Sequence, residues 1–374
     1  MDSIIKSSIK EPFDPSSLKA EVKNTTIGAL VDMLKNDLID LNPEFQRNGN
    51  LWNDDRKSQL IESILLGLPL PSFYFYIDER QKKWVVIDGL QRLCSLKSFM
   101  VDGSLCLQGL EFLDIKKYSK KYDEFEYFDQ LAMKMHPVTL NVLSGNTSAD
   151  ARYIIFQRVN SKGTQLTPTE MRNALYQGPA TILIKQMAEH ELFKQLVSSQ
   201  IGTTSTTRMK DREYVSRFLL FYMNDYHSYD GHLDMAINQT LDYINKEKFS
   251  QKQMDHISKE FVKALAVCNK LLGENAFRKP NSTNDEKRKN AVSLAVFEML
   301  AVSIARLPET KAEELIERKS KFVHLYKEMF QDEILQHFLT GGTSKVPAII
   351  YKFDKMQNVI QETLNNFQLQ LPFQ

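Results

Sequence analysis

The sequence is poor in cysteine and contains no long apolar run. Its three cysteines, Cys94, Cys106 and Cys268, form no Cys-x-x-Cys pair, which argues against a disulfide framework and against a structural zinc site. No stretch reaches the roughly 18 uncharged apolar residues of a membrane span, and the first ten residues lack the apolar centre of a secretion signal. We therefore expect a cytoplasmic protein with no membrane partner.

The chain also lacks an excess of either charge. Its 48 Lys and Arg residues nearly balance 47 Asp and Glu residues, so the formal net charge is +1. Such a chain has no global positive field that attracts nucleic acid, and any contact with DNA must come from a local patch. The content of 42% hydrophobic and 25% charged residues is typical of a globular protein, and 374 residues are enough for two hydrophobic cores.

Residue patterns predict a mixed first half and a helical second half. Aromatic and β-branched residues predict strands at 73–77 and 84–87, joined as a hairpin, and another strand at 138–142. Helical spacing predicts a helix within 26–38 and another that is capped by Asn53 or Asp54. Beyond residue 178 helices are expected near 179–199, 211–226, 232–245, 251–272, 285–306, 309–330 and 345–367. This order indicates an α+β protein with a small sheet followed by an all-α domain.

The sequence Asp88-Gly89-Leu90-Gln91-Arg92 falls where the second predicted strand meets a helix. A glycine at such a corner allows close approach to the backbone, and the NH groups of the first helical turn favour an anion. Arg92 can add a bidentate contact to a phosphate, Asp88 can take a metal ion or a ribose hydroxyl, and Gln91 can orient a water. The structural alternative is that Asp88 caps the helix and Arg92 forms a surface ion pair.

Two further segments carry residues of the same kind. Gln46 and Arg47 lie in an extended segment after Pro43, where the alternative is an exposed polar strand. A loop after a predicted helix offers a lysine, an asparagine and a glycine that can hold phosphate, where the alternative is an ordinary helix end. The residues that we assign to nucleotide binding in these segments are Gln46, Arg47, Arg158, Asn160, Lys162 and Gly163.

In this order and spacing the three segments resemble the N-terminal domain of the GmrSD-type restriction proteins, whose marker is Asp-Gly-Gln-Gln-Arg. Residues 60–71 are similar to the family's approach to the marker, and residues 156–164 with Glu170, Arg172 and Asn173 are similar to its second block. The resemblance covers roughly residues 25–225. Weaker similarity continues in residues 209–218, at Asn290 and in Phe297-Glu298.

The resemblance implies a ParB/sulfiredoxin-like fold and nucleotide binding, with nucleoside triphosphate hydrolysis in several branches, used in defence against phage and foreign or modified DNA. It divides the chain into an N-terminal extension (1–25), a nucleotide-binding domain (26–178) and a helical domain (179–374). Our first hypothesis is a Mg2+-dependent phosphohydrolase that acts as a sensor or regulatory component. In it Gly89 holds phosphates, Arg47 and Arg92 neutralise charge, Asp88 binds magnesium, Gln91 orients water, and Glu44 is the base.

Two departures from the family pattern favour other hypotheses. Leu90 stands where the marker has its first glutamine, which puts hydrolysis in doubt. Many relatives also carry an HNH-type nuclease domain, whereas His256, His324 and His337 are scattered singly here, so we expect cleavage to need a separate nuclease subunit. The second hypothesis is therefore a non-catalytic module that binds nucleotide or DNA and recruits an effector, possible also as a homo-oligomer. The third, sulfiredoxin-like chemistry at Cys94, lacks a resolving thiol.

Overall fold

The computed structural model describes residues 20–41, 52–78, 82–143, 149–159, 167–198, 201, 208–246, 249–280 and 290–365. The chain forms two compact units, which divide between Thr167 and Pro168. The helix that begins at Pro168 thus belongs to the second unit, whereas the sequence placed the boundary between residues 178 and 179. A sheet in the first unit and helices in the second make the protein α+β, as predicted.

The first unit contains a mixed sheet with the strand order β1-β5-β3-β4-β2. Its strands are β1 (Ala20–Thr26), β2 (Ile39–Asp40), β3 (Phe73–Asp78), β4 (Lys83–Asp88) and β5 (Pro137–Leu143). β3 and β4 pair antiparallel, which confirms the predicted hairpin, while β2 runs parallel to β4 and β5 runs parallel to β3. β2 and β4 therefore point towards the side of the sheet at which β3 and β5 begin. We call this line of strand ends the upper edge.

Side-chain caps begin two helices of the first unit, and the cap at Asn53 was predicted from the sequence. The side chain of Thr26 accepts a hydrogen bond from the Ala29 NH at 3.4 Å, and that of Asn53 accepts from the Arg56 NH at 3.0 Å. A π-helical turn, Lys97–Val101, continues the third helix. The helices are α1 (Ile27–Lys35), α2 (Asp54–Leu65), α3 (Leu90–Leu96), α4 (Ile115–Tyr118), α5 (Tyr127–Met135) and α6 (Ala149–Val159).

The main core of this unit lies on one face of the sheet. Phe73 and Phe75 are fully buried there with their rings stacked at 6.4 Å, among buried residues of α1, α2, α3 and α5. On the opposite face the Arg152 guanidinium of α6 lies 4.5 Å from the centre of the Tyr76 ring. The aromatic run 73–76 thus alternates between the two faces, as the period of a strand requires.

Buried Glu62 of α2 holds the segment that follows α3. Its carboxylate accepts hydrogen bonds from the backbone NH groups of Glu111 (3.1 Å), Phe112 (2.7 Å) and Leu113 (2.8 Å). Burial by itself would raise the pKa of Glu62, but the NH groups of Leu113, Phe112 and Glu111 together lower it. The carboxylate is therefore bound in its charged form.

Helices make up nearly all of the described second unit, with shorter segments than the sequence predicted. The predicted helix 179–199 breaks at His190, whose ring accepts from the Leu192 NH, and 309–330 breaks at Arg318. The helix expected from 285 begins only at Leu294, after Val292 has paired in a bridge with Arg278. The helices are α7 (Pro168–Leu175), α8 (Pro179–Glu189), α9 (Glu191–Leu196), α10 (Lys210–Met223), α11 (Leu233–Asn245), α12 (Gln251–Leu272), α13 (Leu294–Ala305), α14 (Glu309–Glu317), α15 (Lys319–Met329), α16 (Glu333–Phe338) and α17 (Val346–Thr363). None of the described helices is both long enough and apolar enough to cross a bilayer.

Alternating charges connect five helices inside the second unit. Glu298 of α13 and Lys352 of α17 form an ion pair in which both side chains are fully buried, and Lys352 also donates to the Thr343 carbonyl at 2.9 Å. Burial would raise the pKa of Glu213, but Arg172 and Arg217 lower it overall. The contacts run in the order Asp234, Arg172, Glu213, Arg217, Glu298 and Lys352.

Candidate functional site

The corner predicted from the sequence lies at the upper edge, between β4 and α3. Gly89 separates the strand from the helix and has φ +102° and ψ 7°, a left-handed conformation that favours glycine. A Cβ atom at this position would lie only 2.4 Å from Cδ1 of Phe73. Both the backbone conformation and the close approach of the Phe73 ring therefore require glycine here.

Arg92 holds this corner against the start of β3. Its Nη1 donates to the Pro71 carbonyl, and its Nη2 donates to the Ser72 carbonyl at 3.1 Å and to Asp88 Oδ2 at 3.0 Å. The guanidinium also stacks 4.3 Å from the centre of the Phe73 ring, and the residue is 8% exposed. In this geometry both terminal nitrogens have protein acceptors, so Arg92 has a role in the fold. Its contact with a phosphate stays a prediction.

The alternative considered from the sequence was that Asp88 caps the helix and Arg92 forms a surface ion pair. The structure agrees with part of it. Arg92 pairs with Asp88, but the pair is largely buried and does not lie on the surface. Burial raises the pKa of Asp88, although Arg92 and the Gly89 NH oppose this rise, and burial lowers the pKa of Arg92. The Asp88 carboxylate is thus partly desolvated, and its Oδ2 is already engaged by Arg92.

The two residues between Gly89 and Arg92 differ in their surroundings. Leu90, which replaces the first glutamine of the family marker, is half-buried and packs against the core. Gln91 is half-buried, and its backbone carbonyl accepts a hydrogen bond from the Ser95 hydroxyl at 2.7 Å. The proposed role of Gln91 in orienting a water stays a prediction.

The remaining predicted site residues fall largely outside the described part of the chain. Arg158 is described, and it lies exposed near the end of α6. The others occupy the segments 42–51 and 160–166: Glu44, Gln46, Arg47, Asn160, Lys162 and Gly163. The described chain gives the direction of the first segment. Because β2 runs parallel to β4, with Asp40 opposite Val85, the chain leaves β2 towards the upper edge, three residues short of the end of β4.

Comparison with known proteins identifies the region that contains this corner. Residues 27–177 match the family model of the GmrSD restriction endonuclease, N-terminal domain. We call this region the GmrSD-type domain after the family model that it matches. No curated protein and no solved structure matches the chain. The resemblance stated from the sequence is thus confirmed over 27–177, and the weaker similarity beyond residue 177 is not included in the match.

The last part of the GmrSD-type match crosses into the second compact unit. There Glu170 of α7 binds Arg208 at 2.7 Å, Arg172 binds Glu213 at 2.6 Å, and Arg212 Nη1 donates to Asn173 Oδ1 at 2.7 Å. The side chains of Glu170, Arg172 and Asn173 thus form buried contacts that hold α7 against the residues that follow it. Sequence reasoning linked this block to the family but did not foresee these partners, which lie 38 to 41 positions further along the chain.

Magnesium fits the described residues of the GmrSD-type domain poorly. In the described ranges no three His, Cys, Asp or Glu side chains lie together as a possible metal site. Asp88 is the only predicted metal ligand among them, and its Oδ2 already accepts from Arg92. A nucleotide can bring magnesium on its own phosphates with few protein ligands, so magnesium stays a prediction.

The strand register adds one residue near the corner. Tyr74 of β3 pairs with Asp88 at a shift in the register and is half-buried, whereas its neighbours Phe73 and Phe75 are buried in the core. The alternation in residues 73–76 separates the tyrosines from the phenylalanines, but it does not show which tyrosine lies beside Asp88. That required the strand register.

Proposed function

We propose that the GmrSD-type domain binds a nucleoside triphosphate at the corner around Gly89 and is the sensor or regulatory component of a bacterial restriction system. The observation that carries the proposal is the parallel pairing of β2 with β4. It directs the chain that leaves β2, and that continues in sequence to Gln46 and Arg47, towards the edge at which Gly89 lies. Two segments of the predicted phosphate site, distant in sequence, thus start from neighbouring strands.

The backbone at the corner suits an anion. Gly89 supplies no side chain to cap α3, and the positive end of the helix dipole lies at this turn. α3 continues into the π-helical turn that ends at Val101, so the helical segment is longer than α3 alone. A phosphate at this turn would face backbone NH groups, while Arg92 keeps the turn in place from below.

Cationic contacts to the phosphates come, on this proposal, from residues other than Arg92. Arg92 is bound to Pro71, Ser72 and Asp88, and moving it would leave Asp88 without its ion pair. Arg47 is the cation whose segment starts at the upper edge, and Lys162 and Arg158 are the further candidates. Gln46 adds an amide that can donate to a phosphate oxygen.

Binding without fast hydrolysis is the form of the proposal that the geometry favours. Leu90 packs against the core at the position of the family's first glutamine, and Asp88 has a raised pKa through burial. Leucine cannot orient a water, and the Asp88 Oδ2 already accepts a hydrogen bond from Arg92. DNA cleavage in such a system would fall to a separate nuclease chain that responds to the nucleotide state of this one.

Calorimetric titration with the four ribonucleoside triphosphates, combined with a phosphate-release assay, tests the proposal. We expect saturable binding of at least one nucleotide and phosphate release close to the background rate. Arg47→Ala should weaken binding about tenfold or more, because a charge-assisted phosphate contact is lost. Lys35→Ala, which removes an exposed lysine at the opposite end of α1 from the upper edge, is the matched control and should bind normally. No binding of any nucleotide by the unaltered protein would refute the proposal.

A further inference from the structure

Helix α5 presents an apolar face to solvent. Tyr127 is 71% exposed, Phe128 78%, Leu131 39% and Met135 63%. Tyr127, Leu131 and Met135 follow one another at intervals of four residues. Phe128 lies three residues before Leu131, so the four side chains share one face of the helix. Met133, on the opposite side, is fully buried in the core of the first unit. α5 is therefore apolar on two sides, and the fold buries one of them.

The exposed face is too large to be a chance occurrence of single apolar residues. The rings of Tyr127 and Phe128 contact each other edge to face at 5.7 Å, so the patch is contiguous. Since an aromatic side chain has roughly 150–250 Å² of surface, these two rings alone expose about 300 Å². Leu131 and Met135 extend the patch along the helix. Apolar patches of this size on a monomer often mark an interaction site.

The order of side chains along α5 suits antiparallel pairing with a second copy of the chain. An isologous interface matches one patch with itself across a two-fold axis. With that axis at Leu131, Tyr127 lies beside Met135 of the second copy, because each is four residues from Leu131. Phe128 lies beside Lys134 of the second copy, because each is three residues from the axis. Aromatic rings attract both a methionine sulfur and a lysine ammonium, so each end of the face complements the other.

The charges on α5 favour the same orientation. Glu126 and Asp129 lie at the start of the helix, and Lys134 lies in its last turn. In the antiparallel pair, Lys134 of one copy and Glu126 of the other differ by two residues in their distance from the axis, which is about 3 Å along the helix. The two helix dipoles also run in opposite directions. A parallel pair would instead bring like charges together.

We infer that this face of α5 is the interface of a homodimer, in which two α5 helices pack antiparallel about Leu131. The inference goes beyond the proposed function and does not depend on a ligand at Gly89. Because the apolar area of one helix face is below the roughly 800 Å² per partner of a standard interface, the dimer should be weak and reversible.

Sedimentation velocity of the full chain at concentrations from about 1 to 200 μM tests this inference. We expect a monomer–dimer equilibrium. Leu131→Glu sets two carboxylates against each other at the axis and should raise the dissociation constant about 100-fold or more. Ile182→Glu is the matched control, because it adds the same charge at a 58% exposed side chain of α8, and it should dimerise normally. Phe128→Ala, which removes an exposed ring, should also weaken the dimer.

Charge reversal tests the orientation of the two helices. Lys134→Glu should weaken the dimer only about threefold, because Glu126 and Asp129 also attract Lys117 of α4. Adding Glu126→Lys should restore the affinity, since the antiparallel pair then regains opposite charges. Further weakening in the double variant would overturn the antiparallel arrangement.

Two other outcomes overturn the interface itself. A protein that stays monomeric throughout the concentration range does not dimerise through α5. Equal dissociation constants in Leu131→Glu and Ile182→Glu would mean that the dimer uses another surface. Urea midpoints separate misfolding from lost contact. If Leu131→Glu lowers the midpoint and Phe128→Ala leaves the dimer unchanged, Leu131 acts through the fold and the inference fails.

Discussion

Replacing Arg92 by alanine should destabilise the first unit by about 3–5 kcal/mol, which is the usual cost of removing one partner of a buried ion pair. The side chain is 8% exposed and donates to Pro71, Ser72 and Asp88. Its loss removes the donors of two backbone carbonyls and leaves Asp88 without its counter-charge. The raised pKa of Asp88 limits the cost, because the carboxyl can take up a proton instead of staying charged.

Urea unfolding followed by tryptophan fluorescence measures this effect in the right part of the chain. The protein has two tryptophans, Trp52 and Trp84, and both belong to the first unit. With a urea dependence of about 2 kcal/mol per molar, the midpoint should fall by about 1.5–2.5 M. Lys97→Ala is the control, because it breaks an exposed ion pair with Asp102 on the same helical segment and should cost less than about 1 kcal/mol.

Asp88→Asn measures the contribution of the Asp88 carboxylate to stability separately from that of the Arg92 guanidinium. Burial already disfavours the charged carboxylate, so asparagine at this position should cost less than alanine at position 92. In the double variant Asp88→Asn with Arg92→Ala, the loss should be smaller than the sum of the two single losses. If Arg92→Ala shifts the midpoint no more than Lys97→Ala does, the guanidinium does not hold the corner and the reasoning fails.

Two further predictions concern buried charges elsewhere. Glu62→Gln should cost about 1–3 kcal/mol at neutral pH, because an amide cannot accept as the carboxylate does from three backbone NH groups. Since the pKa of Glu62 is lowered on folding, its stabilisation is present above about pH 4.5 and is lost as the pH falls. Tryptophan-detected urea midpoints between pH 7 and pH 3 should therefore change less in Glu62→Gln than in the control Glu111→Gln, and equal changes would contradict this. In the second unit, Lys352→Met should cost about 3–5 kcal/mol by leaving Glu298 buried with one partner fewer, and adding Glu298→Met should recover part of the loss. Urea unfolding followed by circular dichroism tests this, and strictly additive losses would argue against the ion pair.

Elements with strong local patterns were predictable from the sequence. The hairpin of β3 and β4, the corner at Gly89 and the cap at Asn53 each depend on residues that are close in sequence. β1 was missed because it is an edge strand whose residues, including Val22, are mostly exposed and show no apolar alternation. β2 has only two residues, and its pairing with β4 is a tertiary contact that no local pattern encodes.

The role of Arg92 shows why the site was harder to predict than the fold. The sequence places an arginine in the first turn of a helix after a glycine, and this arrangement suits a phosphate contact. The acceptors that occupy its guanidinium in the structure, Pro71 and Ser72, lie 21 and 20 positions earlier and are brought there by β3. The same holds for Arg172, whose partners Glu213 and Asp234 lie 41 and 62 positions later. The local sequence shows that such a residue is charged, but it does not show which residue will pair with it.

Loss of nucleotide binding in an Arg92→Ala protein would therefore not identify a phosphate contact. Since Arg92 holds the turn that presents the backbone NH groups, its removal would disturb the site even if the guanidinium never met a ligand. The same reasoning applies to Gly89, where any side chain would collide with Phe73. Residues that can separate binding from folding must have fewer structural contacts and lie at the upper edge. Arg47→Ala, in the segment that follows β2, is therefore a more decisive test of whether a nucleotide binds here than any change at Arg92 or Gly89.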